Sequence, residues 1–332
     1  MMEQILVTVR DNAKVDPSLS IWGWEISVYL FLGGLTAGVM FFAALMLLTR
    51  REQDAPFAVN RLALYAPIVL SAGMATLFLD LEHKLYVFRF YTTFQPTSPM
   101  SWGSWILILV YPVTILQALS TLRSGYPRLA ATLERLPLAG GLLDLSERQR
   151  RLIAACSVPL AIALAIYTGI LLSAFSARPF WNTGILGPLF LVSGLSTAAA
   201  FAILMARHHG ERRLFARIDA GLIATEIVIV ALLVVNLSTG AQMQLDAVAR
   251  ILGGDHTLMF WGFFFALGLV VPLFLEIGEA RLGRGLAALG PVLVLIGGFI
   301  LRQVTVELGQ ESTWTSFTNQ YNVELLQRLE RE

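Results

Sequence analysis

Long apolar runs alternate with short polar connections along almost the whole chain. Eight runs reach the ~20 residues needed to cross a hydrocarbon core ~30 Å thick. They are centred near Ala37, Leu70, Val110, Leu164, Ser196, Glu226, Leu267 and Val294. The pattern predicts spans over residues 24–49, 61–79, 105–122, 152–174, 184–206, 215–237, 257–276 and 285–302. An outer connection at 80–104, an inner one at 122–151 and a tail at 303–332 complete a single transmembrane domain. The expected fold is all-α: a polytopic integral membrane helical bundle of about eight helices.

Composition agrees with that pattern. Hydrophobic residues make up 56% of the 332 and charged ones 14%, with a mean hydropathy of +0.68, where a soluble domain carries roughly 25% charge. The short connections leave no room for a soluble catalytic domain of ~100 residues, so redox cofactors outside the membrane are expected on a partner. The first apolar run follows a polar segment with Arg10, Asp11, Lys14 and Asp16 and is read as a retained span, with no cleavage pattern behind it. A single cysteine, Cys156, excludes an intramolecular disulfide or an all-cysteine metal site and is expected as a small residue in a packed helix.

The net charge of +1 points to no nucleic acid, but basic residues are distributed unevenly. Most of the 24 lysines and arginines, including Arg50, Arg61, Arg123, Arg151, Arg217, Arg281 and Arg284, follow spans one, three, five and seven. Positive charge marks the cytoplasmic side, so both termini are expected outside, in a bacterial or archaeal cytoplasmic membrane.

Leu30-Phe31-Leu32-Gly33-Gly34-Leu35-Thr36-Ala37 returns loosely as Phe190-Leu191-Val192-Ser193-Gly194-Leu195-Ser196-Thr197, offset by 160 residues. Four spans separate the copies, which suggests two parallel four-helix units; the alternative is that small residues recur wherever membrane helices pack closely. The inner connection, with Pro127 and Pro137, is expected to hold a surface helix near Leu129 to Leu136. The tail carries Trp314, Phe317 and Tyr321, then an amphipathic stretch from Val323 to Leu329 suited to a lipid surface or a partner.

Ionisable groups inside spans cost ~2.5–3.5 kcal/mol and are functional candidates by default. Glu226 sits at the centre of the sixth span, and Asp219 lies seven residues earlier on the same face, ~10 Å away. The pair reads as a proton path, or as an interhelical hydrogen bond through a protonated Glu226. Glu25, beside Trp22, Trp24 and Tyr29, and Arg302 at the end of the eighth span are expected to line an outer pocket or to be interfacial anchors. Glu276 is expected in simple interfacial solvation at the inner side. The outer connection concentrates Asp80, Glu82, His83, Lys84 and several aromatics, then Ser98, Ser101 and Trp102. Rings that sandwich a flat headgroup, with groups that bond carbonyls and move protons, suit a quinone; an aromatic belt is the plainer reading. Only four histidines are present, of which His83 and His256 sit at outer span ends, so no two-haem relay is expected.

The motifs Trp24-Glu25-Ile26-Ser27-Val28-Tyr29-Leu30-Phe31-Leu32-Gly33-Gly34-Leu35, Leu79-Asp80-Leu81, Ser98-Pro99-Met100-Ser101-Trp102-Gly103-Ser104-Trp105, and Gly297-Gly298-Phe299-Ile300-Leu301-Arg302 through Gly309-Gln310 are spread over most of the chain. With them the sequence resembles the polysulfide reductase membrane-subunit family, often called NrfD-like. The resemblance implies a haem-free, quinone- or quinol-interacting anchor subunit using menaquinone or ubiquinone as substrate, with no metal of its own. It implies a ferredoxin-like iron–sulfur subunit and a molybdopterin catalytic subunit docked on the outer face, so this chain would not act on the terminal substrate itself. It carries the quinone site onto Glu25, Asp80, His83, Ser98, Ser101, Trp102 and Arg302, and the proton path onto Asp219 and Glu226. A secondary transporter with a midplane carboxylate is the rival reading; it predicts helices broken near Gly33-Gly34, Pro67 or Pro159.

Overall fold

A computed structural model describes residues 22–278 and 288–312. Arg10, Asp11, Lys14, Asp16, Arg281, Arg284, and the tail from Trp314 to Leu329 lie outside the described residues. Among the described residues eight helices are long and apolar enough to cross a membrane: α1 Trp24–Leu48, α2 Leu62–Asp80, α3 Pro99–Ser120, α4 Arg150–Ser173, α5 Leu186–Met205, α6 His209–Ser238, α7 Leu258–Ile277 and α8 Leu289–Glu311. No strand occurs among the described residues. Helices are the expected outcome, because in lipid every backbone N–H and C=O must be satisfied within the segment.

Contacts divide the bundle in two. In the first unit α1 packs on α2 and α4, and α3 on α4; in the second α5 packs on α6 and α8, and α7 on α8. Across the seam α1 lies against α5, while α4–α5 is mirrored by α8–α1. The same pairing thus occurs twice, with α1 and α5 at the shared axis. They cross on small residues at repeat-equivalent positions. A Cβ on Gly194 would come 2.9 Å from the Gly34 carbonyl oxygen, and one on Gly38 would come 2.4 Å from both the Gly194 oxygen and the Ala198 Cβ. This is small-xxx-small packing on both helices, so the repeated motif and the close approach are one feature. Gly268 and Gly297 play the same part between α7 and α8, where an added Cβ would meet backbone within 2.6 Å.

Several boundaries move relative to the sequence pattern. α3 begins at Pro99, so the connection from 80 ends before 104 and Ser101, Trp102 and Ser104 lie in the first turns of α3. Proline, with its fixed φ and missing N–H, suits the first helical position. Helices Pro127–Leu133 and Ala139–Arg148 occupy the 122–151 connection, the first also opened by proline and so shifted from 129–136. α6 starts at His209, and its 30 residues reach ~45 Å, well beyond the apolar core. α8 continues nine residues past Arg302, to Glu311. Its polar residues do not end it, because they find partners: the Thr305 hydroxyl donates to the Leu301 carbonyl (2.7 Å) and Gln310 bonds Trp22. Cys156 is exposed on the outside of α4, not packed as expected.

The two ends of the bundle, one carrying Glu211 and the other Asp80, differ in their closures. At the Glu211 end, the fully buried Glu211 carboxylate accepts the backbone N–H groups of Phe57 (3.1 Å) and Ala58 (2.8 Å), capping helix Pro56–Asn60 and pinning the α1–α2 connection to α6. At the Asp80 end, the Gln310 amide accepts the Trp22 N–H (2.7 Å) and donates to the Trp22 carbonyl (2.9 Å), tying the start of α1 to the end of α8. Trp22 stacks on Trp181 with centroids 5.1 Å apart, and the Trp181 indole N–H donates to the Thr305 carbonyl (2.6 Å).

Candidate functional site: an aromatic cavity and a buried charge cluster

A cavity of about 510 Å³ opens at the Asp80 end of the first unit, among α1–α4. Four tyrosines line it, Tyr29 from α1, Tyr111 from α3, Tyr167 from α4 and Tyr91 from the connection, with Trp22, Phe78, Phe90, Ser104 and mostly aliphatic side chains elsewhere. Asp80 is the one carboxylate in its lining. Glu25 is half-buried on α1 and acts electrostatically on Asp80 without lining the cavity. Burial pushes the Tyr91 phenol above its usual range and Tyr111 adds to the effect, so Tyr91 keeps its O–H as a donor at neutral pH.

Gly103 explains part of the specific Ser98–Trp105 run. A Cβ there would fall 2.0 Å from Tyr167 Cζ and 2.1 Å from its hydroxyl oxygen, so only glycine seats that ring against α3. Ser101 and Trp102 act on the preceding loop. The Ser101 hydroxyl accepts the Gln95 N–H (3.0 Å) and donates to the Thr93 carbonyl (3.2 Å), while the Trp102 indole N–H donates to the Pro96 carbonyl (2.7 Å). Together they fasten residues 93–96 to the start of α3.

Ser98, Ser101 and His83 line a second, more open hollow of about 520 Å³, with Glu82, Arg89 and Gln95. Leu81, Phe90 and Met100 border both spaces, so Asp80 and His83 fall on opposite sides of a shared wall. Trp102 lines neither space.

Arg302 is not at the Glu25 level, and the expected pocket between them is not formed. Its guanidinium faces Gly34, where an added Cβ would come 3.1 Å from Nη2, nine residues and ~13.5 Å along α1 from Glu25. It is 1% exposed in the middle of the second unit. There Nη1 donates to the Ser193 hydroxyl (2.5 Å) and the Gly298 carbonyl (2.9 Å), Nη2 donates to the Phe190 carbonyl (3.4 Å), and the guanidinium lies 5.1 Å from the Phe190 ring centroid. Glu226 attracts Arg302 electrostatically and shares Ser193 with it. Asp219, fully buried, accepts the Ser196 hydroxyl (2.5 Å) and bonds Glu276. Glu276 is therefore part of the cluster and not solvated at an interface. On α5, Ser193 of the repeated motif thus joins Glu226 of α6 to the arginine of α8, and Ser196 holds Asp219, which bonds Glu276 of α7.

Further along α8, Gln303 bonds Glu307, and His256 lies 3.8 Å from Glu307 and 2.8 Å from Glu311, which also pairs with Arg250 (2.6 Å). Polar groups therefore step through the second unit from Glu276 towards the Asp80 end. The sequence pattern does not single out Tyr111, Tyr167, Ser193 or Ser196 as site residues. Gly103 and the α5 serines were the available signals, but neither names what packs against it.

Eight lipid-length helices paired as two four-helix units define a multi-pass helical membrane protein. The chain belongs to the NrfD family, described as polysulphide reductase, NrfD, whose family model matches residues 12–312. It is 30% identical over 306 residues to the protein NrfD of Escherichia coli, covering 87% of this chain and 95% of that one. It is 28% identical over 304 residues to a polysulfide reductase chain of Wolinella succinogenes, covering 87% and 94%. With a selenate reductase subunit of Mesobacillus selenatarsenatis it shares 24% over 315 residues, 84% of this chain and 72% of the relative. The family resemblance read from the motifs is thereby borne out.

Proposed function

We propose that this chain is the quinone- or quinol-interacting membrane anchor subunit of a respiratory reductase complex. The relatives named as single chains or subunits of reductases support the anchor role. The single observation that carries the quinone reading is the cavity: apolar walls, four phenols and one carboxylate in about 510 Å³, the mix of flat faces and few polar groups that a headgroup needs.

In that reading a quinol loses two electrons and two protons to become quinone. A ferredoxin-like iron–sulfur subunit docked at the Asp80 end, itself joined to a molybdopterin subunit, would supply the one-electron acceptor for those electrons, and the reverse flow would reduce quinone. Tyrosine O–H groups hold the headgroup oxygens, and Asp80 exchanges its protons. His83, Ser98 and Ser101 stand behind the shared wall, on the side open to the partner. The basic Glu211 end faces the cytoplasm and the Asp80 end the outside. Glu276, Asp219, Glu226 and Arg302 form the proton path of the second unit and make turnover electrogenic.

Transport is the weaker reading. Gly33-Gly34 and Pro159 lie within the uninterrupted helices α1 and α4, and Pro67 sits in the first full α-turn of α2, so none breaks a span at mid-depth.

Asp80→Asn in the purified complex tests the proposal. Loss of a proton acceptor slows quinol oxidation by about 10²–10⁴-fold with a quinone analogue still bound. An unchanged rate removes Asp80 from the mechanism, and absence of analogue binding to the wild type removes the cavity.

A further inference from the structure

The inner connection forms a compact helical hairpin whose surface is divided three ways. Leu143 and Ser146 of helix Ala139–Arg148 are buried, Leu143 in one cluster with Leu122, beside Leu119. Those partners belong to the last turn of α3 and the residues just after it, so the helix lies level with the end of a membrane span. Leu142 and Leu145, spaced i and i+3 on one face of this helix, are 43% and 56% exposed, and Leu138 at its N-cap is 92% exposed, so the three make a separate apolar stripe. Such a stripe is unfavourable in water. On the remaining face Asp144 and Glu147 turn away from the leucines and bond one guanidinium, that of Arg123, at 2.7 and 3.0 Å, with Glu134 joining at 2.9 Å.

That arrangement has an electrostatic result. The acids of the hairpin are gathered on Arg123, while Arg128, Arg135, Arg148 and Arg151 are exposed and have no described carboxylate within ion-pair distance. Leucines at membrane-edge depth beside uncompensated arginines match an acyl boundary below anionic headgroups.

We propose that the 122–151 hairpin is an interfacial foot that lies in the lipid headgroup layer, sinks the Leu138, Leu142 and Leu145 stripe into the acyl boundary and binds anionic phospholipid through its free arginines. Arg123 is the clamp that keeps the acids of the hairpin away from the lipid phosphates. The proposal goes beyond the quinone reading, and neither measurement below requires turnover.

The test uses the full chain in nanodiscs of phosphatidylcholine with a minor fraction of phosphatidylglycerol. Spin labels are placed, after Cys156→Ser, by Leu142→Cys and separately by Asp144→Cys. The Leu142 label is expected to collide with oxygen and be shielded from a water-soluble nickel chelate, and the Asp144 label to show the opposite. Equal nickel access at both sites overturns the proposal, as does shielding of Leu142 that appears only when a protein partner is added. In native mass spectrometry, R128Q/R135Q/R148Q/R151Q is expected to retain at least about fivefold less phosphatidylglycerol than wild type, one arginine's share of headgroup attraction. Equal retention overturns the headgroup half, and the labels decide the acyl half even if that variant folds poorly.

Discussion

Gly103→Ala is the sharpest probe of how the aromatic cavity is built. The new methyl group would sit 2.0 Å from Tyr167 Cζ, 2.1 Å from its hydroxyl oxygen and 2.3 Å from Cε1, whereas non-bonded carbons rest about 3.5–4.0 Å apart. The ring must retreat by roughly 1.5–2 Å. Tyr167 lines the cavity, so the way open to it is into that space. Overpacking of this kind costs about 1–3 kcal/mol of stability. Displacing the phenol forfeits a hydrogen bond of about 0.5–1.5 kcal/mol to a bound headgroup, which weakens a quinone analogue by about 2- to 13-fold. Tyr167→Leu removes the atoms that clash, so Gly103→Ala/Tyr167→Leu is expected to be no less stable than Tyr167→Leu alone. The assay is a double-mutant cycle read by thermal unfolding in detergent and by analogue affinity. Strict additivity of the two changes, or unaltered affinity in Gly103→Ala, refutes the argument.

Three further outcomes are expected. Arg302→Leu removes the donors to the Ser193 hydroxyl and the Gly298 carbonyl in a fully buried place and is expected to cost about 1–3 kcal/mol, which thermal unfolding checks. Gln310→Leu releases both backbone bonds of Trp22, so tryptophan fluorescence is expected to shift and analogue affinity to fall, with overall helicity by circular dichroism unchanged. Tyr91 holds its proton more tightly folded than unfolded, so above the ordinary tyrosine pKa of about 10 the unfolded chain has shed that proton first. Stability is therefore expected to fall as pH rises through that region, and less steeply in Tyr91→Phe, as followed by unfolding at graded alkaline pH.

The eight spans were legible because lipid imposes a simple demand: each crossing needs a fixed length of apolar sequence with its hydrogen bonds made internally. The family was legible from motifs that coincide with packing constraints, such as Gly103 against Tyr167 and Gly34 against Gly194. Asp219 and Glu226 stood out because charges are rare in such runs, and both are buried in one cluster. The helix ends were less legible, since Thr305 and Gln310 read as tail residues until their partners on α8 and at Trp22 are known.

What only the tertiary structure decided is which polar groups meet. Arg302 reads as an outer-surface neighbour of Glu25, yet α8 continues past it and turns its guanidinium to Ser193 and the Glu226 charge. Asp80 and His83, three residues apart, are parted by a wall, while Tyr29, Tyr91, Tyr111 and Tyr167 converge from distant positions. Hydrophobic length sets how many times the polypeptide crosses. The rotation of each helix, and so the company each polar side chain keeps, depends on where small residues let two backbones touch, and that is a property of pairs of helices.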